Sequence, residues 1–194
     1  MPSHSHELTI SVYGHPSANP ESVAIQFGGT HVTHADGTED VAIFVINPNT
    51  GVDEHTVSNW SALDDFQTPR MIVVTHLDSG EADFDDAVLL ANRLFDQVVT
   101  PYLVLHDDSG APCALISLKT QEIIDYSEGS AKILPSESEH KTLVSEFVEE
   151  YGSHLAVMGD DAFAAGLLFP AIPLLIEKQI GVNIVMDYLK EISR

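Results

Sequence analysis

The chain has 194 residues, enough for one medium domain or at most two small ones, and its 44% hydrophobic content supplies a core and excludes disorder as the main state. Asp and Glu number 30 against 8 Lys and Arg, a formal net charge of −22. Such a surface repels phosphate backbones and anionic lipids, so neither direct nucleic-acid binding nor a membrane partner is expected. The charge is uneven as well: the first Lys or Arg is Arg70 and the first lysine is Lys119. Cys113 is the single cysteine, which excludes an intrachain disulfide or a multi-cysteine zinc site and fits a reducing cytosol. The apolar stretch from Ala164 to Ile176 is interrupted by Gly166, Pro170 and Pro173, and Met1 to Glu7 lacks the basic and apolar regions of a signal peptide. The expectation is a soluble, cytoplasmic protein.

In chain order, Leu8 to Tyr13 alternates as a strand. The segment Gly14-His15-Pro16-Ser17-Ala18-Asn19-Pro20 follows, with two prolines that argue against a helix start. Val23 to Phe27 reads as a short second strand ended by Gly28-Gly29, and His31 to Glu39 as a polar loop. The apolar run Val41 to Ile46 suits a strand buried on both faces of a parallel sheet. Asn47-Pro48-Asn49-Thr50-Gly51 turns the chain into a helix over 53–66, with Val57, Trp60, Leu63 and Phe66 on one stripe. Met71 to Val74 is the next buried strand and ends at Thr75-His76-Leu77-Asp78. A helix over 83–98 buries Ala87, Leu90, Ala91, Leu94, Phe95 and Val98, and a strand over 102–106 follows. Strand, helix, strand, helix, strand predicts crossovers and a covered parallel sheet. Asp107 to Gly110 then reads as a hairpin turn into a strand over 113–118, with another short strand over 121–126. Ser138 is placed to cap a helix over 139–151, Ala171 to Ile176 returns as a strand, and Gly181 to Ile192 closes the chain as an amphipathic helix. The whole is expected to be one α/β domain with an inserted hairpin and helix subdomain at about 107–168.

Three segments together resemble the GTPase domain of elongation factor G. They are the strand 41–46, the stretch Gly51-Val52-Asp53-Glu54-His55-Thr56-Val57-Ser58-Asn59-Trp60, and Thr68-Pro69-Arg70-Met71-Ile72-Val73-Val74-Thr75-His76-Leu77-Asp78. In that family an apolar strand leads to a Gly-Val turn, a helix carrying Thr-Val-Trp, and a Pro-Arg strand ending in the guanine-reading Asn-Lys-x-Asp. The Thr-His-Leu-Asp variant is similar to that of the divergent actinobacterial elongation-factor-G-like proteins. The resemblance covers most of 40–192 and implies a three-layer α/β domain of the P-loop GTPase kind, with a mostly parallel sheet. It also implies where a nucleotide would sit: Gly14, His15, Ser17 and Asn19 at the phosphate-loop position, and Thr75, His76 and Asp78 at the guanine position.

A phosphate loop of the form Gly-x-x-x-x-Gly-Lys-Ser/Thr points backbone N–H groups and a lysine at the phosphates. Here Asn19 stands for the second glycine, Pro20 for the lysine and Glu21 for the magnesium-binding hydroxyl, and no lysine in the chain follows a glycine. Between Gly14 and Val41 there is too little chain for both a long switch loop and a magnesium-side Asp-x-x-Gly; the literal match Asp107 to Gly110 lies in the hairpin turn. Asp78 remains able to accept from a base, whereas Thr75 and His76 replace its Asn and Lys companions, and Ile176-Glu177-Lys178-Gln179 lacks the family's Ser-Ala. The expectation is a degenerate GTPase-like domain without GTP, GDP or magnesium, with no catalytic residues, acting through a protein partner or self-association. The alternative is a GTP-binding, elongation-factor-like GTPase, for which GTP or GDP with magnesium would be the cofactors.

Other constellations carry less. His4 and His6 suit at most weak copper or nickel chelation at a processed N-terminus, and His31-Val32-Thr33-His34 has ligand spacing without a helix to present both rings, so no metal is assigned. There is no Gly-x-Ser-x-Gly elbow, and Cys113 reads as a buried small hydrophobe.

Overall fold

The computed structural model describes residues 6–193; His4 lies outside them. The elements in chain order are β1 (Ile10–Tyr13), α1 (Pro20–Phe27), β2 (Thr30–His31), β3 (Val41–Ile46), α2 (Glu54–Ala62), β4 (Arg70–Val74) and α3 (Phe84–Leu94). They continue as β5 (Tyr102–His106), β6 (Pro112–Ser117), β7 (Glu122–Asp125), β8 (Lys132–Pro135), α4 (Ser138–Leu143), α5 (Ser145–Met158), β9 (Ala171–Pro173) and α6 (Val182–Ile192). Five strands form a parallel sheet in the order β2-β1-β3-β4-β9, and β5 to β8 form a separate antiparallel meander.

Period-two alternation divides the parallel sheet between two cores. Val12, Ile43, Val45, Met71, Val73 and Ile172 face the side covered by α1 and α6. Phe44, Ile46, Ile72 and Val74 face the other, against Trp60 of α2 and Phe84, Ala87 and Ala91 of α3. Every residue of β3 is at most 2% exposed, as its unbroken apolar run predicts. The antiparallel sheet adds Leu115 and Ile116 to the first core, which α5 joins through Tyr151. The α/β, mostly parallel architecture expected from the sequence is therefore present. No helix among the described residues is long and apolar enough to cross a membrane.

Several elements differ from expectation. Residues 22–27 are helical, and Pro20 does not prevent it: proline occupies the first helical position, where its missing N–H would have had no intrahelical partner. The polar segment after it opens with the two-residue strand β2, which extends the parallel sheet beside β1. Strand 102–106 joins the meander rather than the parallel sheet, because β6 follows it by a tight hairpin and takes its edge. The helix expected over 83–98 ends at Leu94, where Phe95 leaves helical geometry to stack on Trp60 and the Asn92 side chain accepts from Val98 N at 2.9 Å. The helix expected over 139–151 is two helices broken at Val144, and β8 was not expected. The last strand stops at Pro173, with a 3₁₀ turn over Ile176–Lys178. Cys113 is only half-buried; its thiol donates to Leu105 O at 3.6 Å, and partial burial followed by Asp107 and Asp125 pushes its pKa up.

The second core contains a charge. Arg70 at the start of β4 is 2% exposed and donates to Trp60 O at 2.7 Å and Thr68 O at 3.2 Å, with Asp64 at 2.7 Å as its counter-ion. Its guanidinium lies 4.7 Å from the ring centres of both Trp60 and Phe169. Trp60 in turn donates to Asp96 at 2.9 Å. Arg70→Ala orphans a buried carbonyl and opens a cavity, and is expected to cost about 3–5 kcal/mol. Asp64→Asn leaves the carbonyl and ring contacts and costs about 1 kcal/mol. Urea unfolding followed by the fluorescence of Trp60, the single tryptophan, measures both; equal losses would mean that the ion pair alone holds the guanidinium.

Buried phenols set an alkaline limit. Burial pushes the Tyr102 hydroxyl up to about 12, with Tyr151, Tyr126 and Asp187 adding to the shift. Burial first, then neighbours, also raises Tyr13 and Tyr188. A folded pKa above the unfolded value near 10 favours the neutral phenol in the fold, so this stability is whole below about pH 10 and lost as pH rises toward about 12. Stability should fall across that interval, and by less in Tyr102→Phe; chemical denaturation at a series of alkaline pH values reads the difference.

Candidate functional site

Because the sheet strands are parallel, the loops leaving the C-terminal ends of β1, β3, β4 and β9 meet at one edge, the usual place for a ligand in such folds. The first loop, 14–19, starts at Gly14, where a Cβ would lie 2.9 Å from Val45 O; glycine lets β1 leave the sheet flush against β3. Pro16–Ala18 form a 3₁₀ turn, Asn19 is left-handed with φ 60°, and α1 begins at Pro20.

The loop spends its amides on itself. Ala18 N donates to His15 O at 2.9 Å, Asn19 N to Pro16 O at 3.0 Å, and Ser17 N to His15 Nδ1 at 3.2 Å, while Pro16 and Pro20 have no N–H. Its carbonyls are held from behind: Ser17 O accepts from Asn47 Nδ2 at 3.0 Å and Ala18 O from Thr75 Oγ1 at 2.9 Å. Ser17 Oγ also bonds Thr50 Oγ1 at 2.9 Å. The fit to a triphosphate and magnesium fails on this geometry. Three of the loop's amides are used within it, Pro16 and Pro20 supply none, and Glu21 occupies the first turn of α1 with a negative charge.

The base-side residues do come together. Thr75 is buried, ties β4 to the first loop, and pairs with His76 Nδ1 at 2.9 Å. Asp78 is exposed, and its carboxylate has no hydrogen-bond partner among the described residues. Asn19, Thr75, His76 and Asp78 line a cavity of about 490 Å³ with Ile176 and Lys178 of the last loop. Gly14, His15 and Ser17 stand outside that lining, on the side toward Thr50. Glu177 also faces the cavity, so its charged lining is Asp78, Glu177 and Lys178. Among the described residues no three His, Cys, Asp or Glu side chains are grouped to hold a metal; His34 packs edge-on against His55 at 5.1 Å.

The turn 47–51 holds the site together, which the sequence reading missed. Asn49 accepts from Ala82 N at 3.0 Å and donates to Ser79 O at 2.8 Å and His76 O at 3.3 Å, fixing the loop that carries Asp78. The signal was present in two asparagines following a buried strand, where an amide side chain can brace neighbouring loops. Asn49→Ala removes these bonds and is expected to cost about 1–3 kcal/mol. Hydrogen exchange at the Ala82 amide should accelerate while the amides of β3 keep their protection.

The class this geometry defines is a P-loop-GTPase-like α/β fold. A crystal structure of a protein from Thermus thermophilus shares it, with a TM-score of 0.68 and 21% identity over 80% of this chain and 26% of that one. No protein-family model matches the chain. In sequence it is similar to proteins named elongation factor G-like protein from two strains of Mycobacterium tuberculosis, each 28% identical over 166 residues. It is also similar to mitochondrial ribosome-releasing factor 2 of Anopheles gambiae, 26% identical over 159 residues. These matches cover 73% and 79% of this chain but only 22% and 21% of the relatives. Together they support an elongation-factor-G-like G domain, as the segments between Val41 and Asp78 imply.

Proposed function

We propose that this domain keeps the frame and base-side cavity of an elongation-factor-G-like GTPase but not its phosphate grip, and works in the cytoplasm as a protein-binding module without catalytic residues. The observation that supports this is the 14–21 segment, where the Ser17, Ala18 and Asn19 amides bond within the loop and the lysine and hydroxyl positions hold Pro20 and Glu21. A net charge of −22 adds a repulsion, and Lys178, the one Lys or Arg lining the adjoining cavity, is outnumbered there by Asp78 and Glu177. The same charge disfavours nucleic acid and anionic membranes as partners and leaves a protein.

A second reading, a GTP-binding elongation-factor-like GTPase, draws on the cavity of about 490 Å³ with Asp78 at its rim. Titration of fluorescent GDP and GTP with magnesium separates the two. No saturable binding up to about millimolar protein is expected, since charge-assisted bonds to the phosphates are missing. Saturable binding that Asp78→Ala abolishes would overturn the proposal and restore the second reading.

A further inference from the structure

We propose that the groove between α3 and α5 is the docking site for a basic amphipathic helix of a partner protein. This rests on the reading of the chain as a protein-binding module and names the partner's chemistry. The groove encloses about 350 Å³ on the flank of the domain, lined by none of the residues of the base-side cavity. Val98, Val99, Leu118 and Tyr151 give it a buried apolar floor. Its two walls carry apolar side chains left in water: Leu89 of α3 is 65% exposed and Phe147 of α5 is 47% exposed. Exposed apolar groups converging from two elements on an apolar floor mark a surface that gains by being covered.

The rim decides what covers it. Asp85 and Glu150 line the groove with the neutral polar groups of Asn92 and Gln97, and no Lys or Arg lines it. The elements around it reinforce the sign. Asp83, Asp85 and Asp86 lie at the start of α3, and Glu146, Glu149 and Glu150 lie on α5. Arg93 is the one Lys or Arg on α3, α5 and β5, and it does not face the groove; His154 of α5 and His106 of β5 are the histidines nearby. Desolvation, then Asp83 and Asp86, raise the pKa of the Asp85 carboxyl while His106 opposes them, and a cation beside it would favour its charged form.

A second copy of the chain brings another −22 with only 8 Lys and Arg, so like-charge repulsion opposes it as the occupant. A helix suits the space between two helices: apolar anchors at i, i+3 or i+4 enter the floor while flanking Lys or Arg reach Asp85 and Glu150.

Two fluorescently labelled synthetic helical peptides test this. They share one apolar stripe and carry Lys at the flanks in one and Glu in the other. The Lys peptide should bind saturably, and about tenfold or more tighter than the Glu peptide. The double variant Asp85→Lys with Glu150→Lys should lose that affinity by about tenfold. Leu89→Ala should weaken the Lys peptide at constant charge. Glu54→Lys with Asp65→Lys, an equal charge change at positions that do not line the groove, should leave binding nearly unchanged. All these positions are exposed, and thermal unfolding checks that each variant folds. Equal weakening by the Glu54 and Asp65 variant, or no binding of the Lys peptide, overturns the groove. A sedimenting dimer dispersed by Leu89→Lys overturns the choice of occupant. A GDP titration run alongside tests the protein-binding reading separately. No GDP binding with no peptide binding removes the groove alone, whereas saturable GDP binding removes that reading and leaves the peptide result to judge the groove.

Discussion

A parallel sheet with no face open to water is the constraint from which the rest follows. β3 and β4 are covered on both sides, so each of their residues needs a partner above or below, and each parallel strand is reached by a crossover, through α1 and α2 to β2 and β4 and through the loop 32–40 to β3. The result is two cores separated by one residue's thickness of backbone. Their chemistry differs: the core on the α1 and α6 side is mainly aliphatic, whereas the other is built on Tyr13, Phe44, Trp60, Phe95 and Phe169 around the Arg70 guanidinium. The same constraint brings the loops after β1, β3, β4 and β9 together at one end, whatever those loops contain.

The loops are where geometry and electrostatics part. A phosphate-binding turn presents N–H groups outward. Here three amides of the equivalent turn bond within it, and its carbonyls accept from Asn47 and Thr75. The site's scaffold is therefore ordered by bonds of the opposite sense, and the chain around it is strongly acidic. Acidity of this kind leaves fold unaffected but selects the partner, through what it repels as much as through what it attracts.

What could be read from the sequence follows the same division. Val41 to Ile46 and Met71 to Val74 were legible because burial on both faces leaves an uninterrupted apolar string. Thr75, His76 and Asp78 are marked as a base-side site by the resemblance to elongation factor G, and the fold brings these three to one cavity. Residues 22–27 are ambiguous in sequence because six residues hold too little periodicity to separate a helix from a strand, and a proline at the first helical position looks like a breaker until the helix start is known. The early end of α3 depends on Phe95 meeting Trp60 from another helix, a tertiary contact that no local pattern records. Asn47 and Asn49 looked like turn formers, and their bracing role appears only once 76–82 lies beside them. The groove between α3 and α5 was likewise invisible, since its walls are about sixty residues apart in the chain.

The connection between α1 and β2 bears on timing. It consists of Gly28 and Gly29; Gly28 takes the left-handed turn at φ 70°, and a Cβ on Gly29 would lie 2.9 Å from Ile10 O. A two-residue connection, with Gly29 pressed against β1, has no slack to swing between an ordered and a released form. A domain joined in this way has nothing there to act as a clock. On the proposed reading, the time it spends with a partner is then set by abundance and dissociation rate rather than by nucleotide hydrolysis.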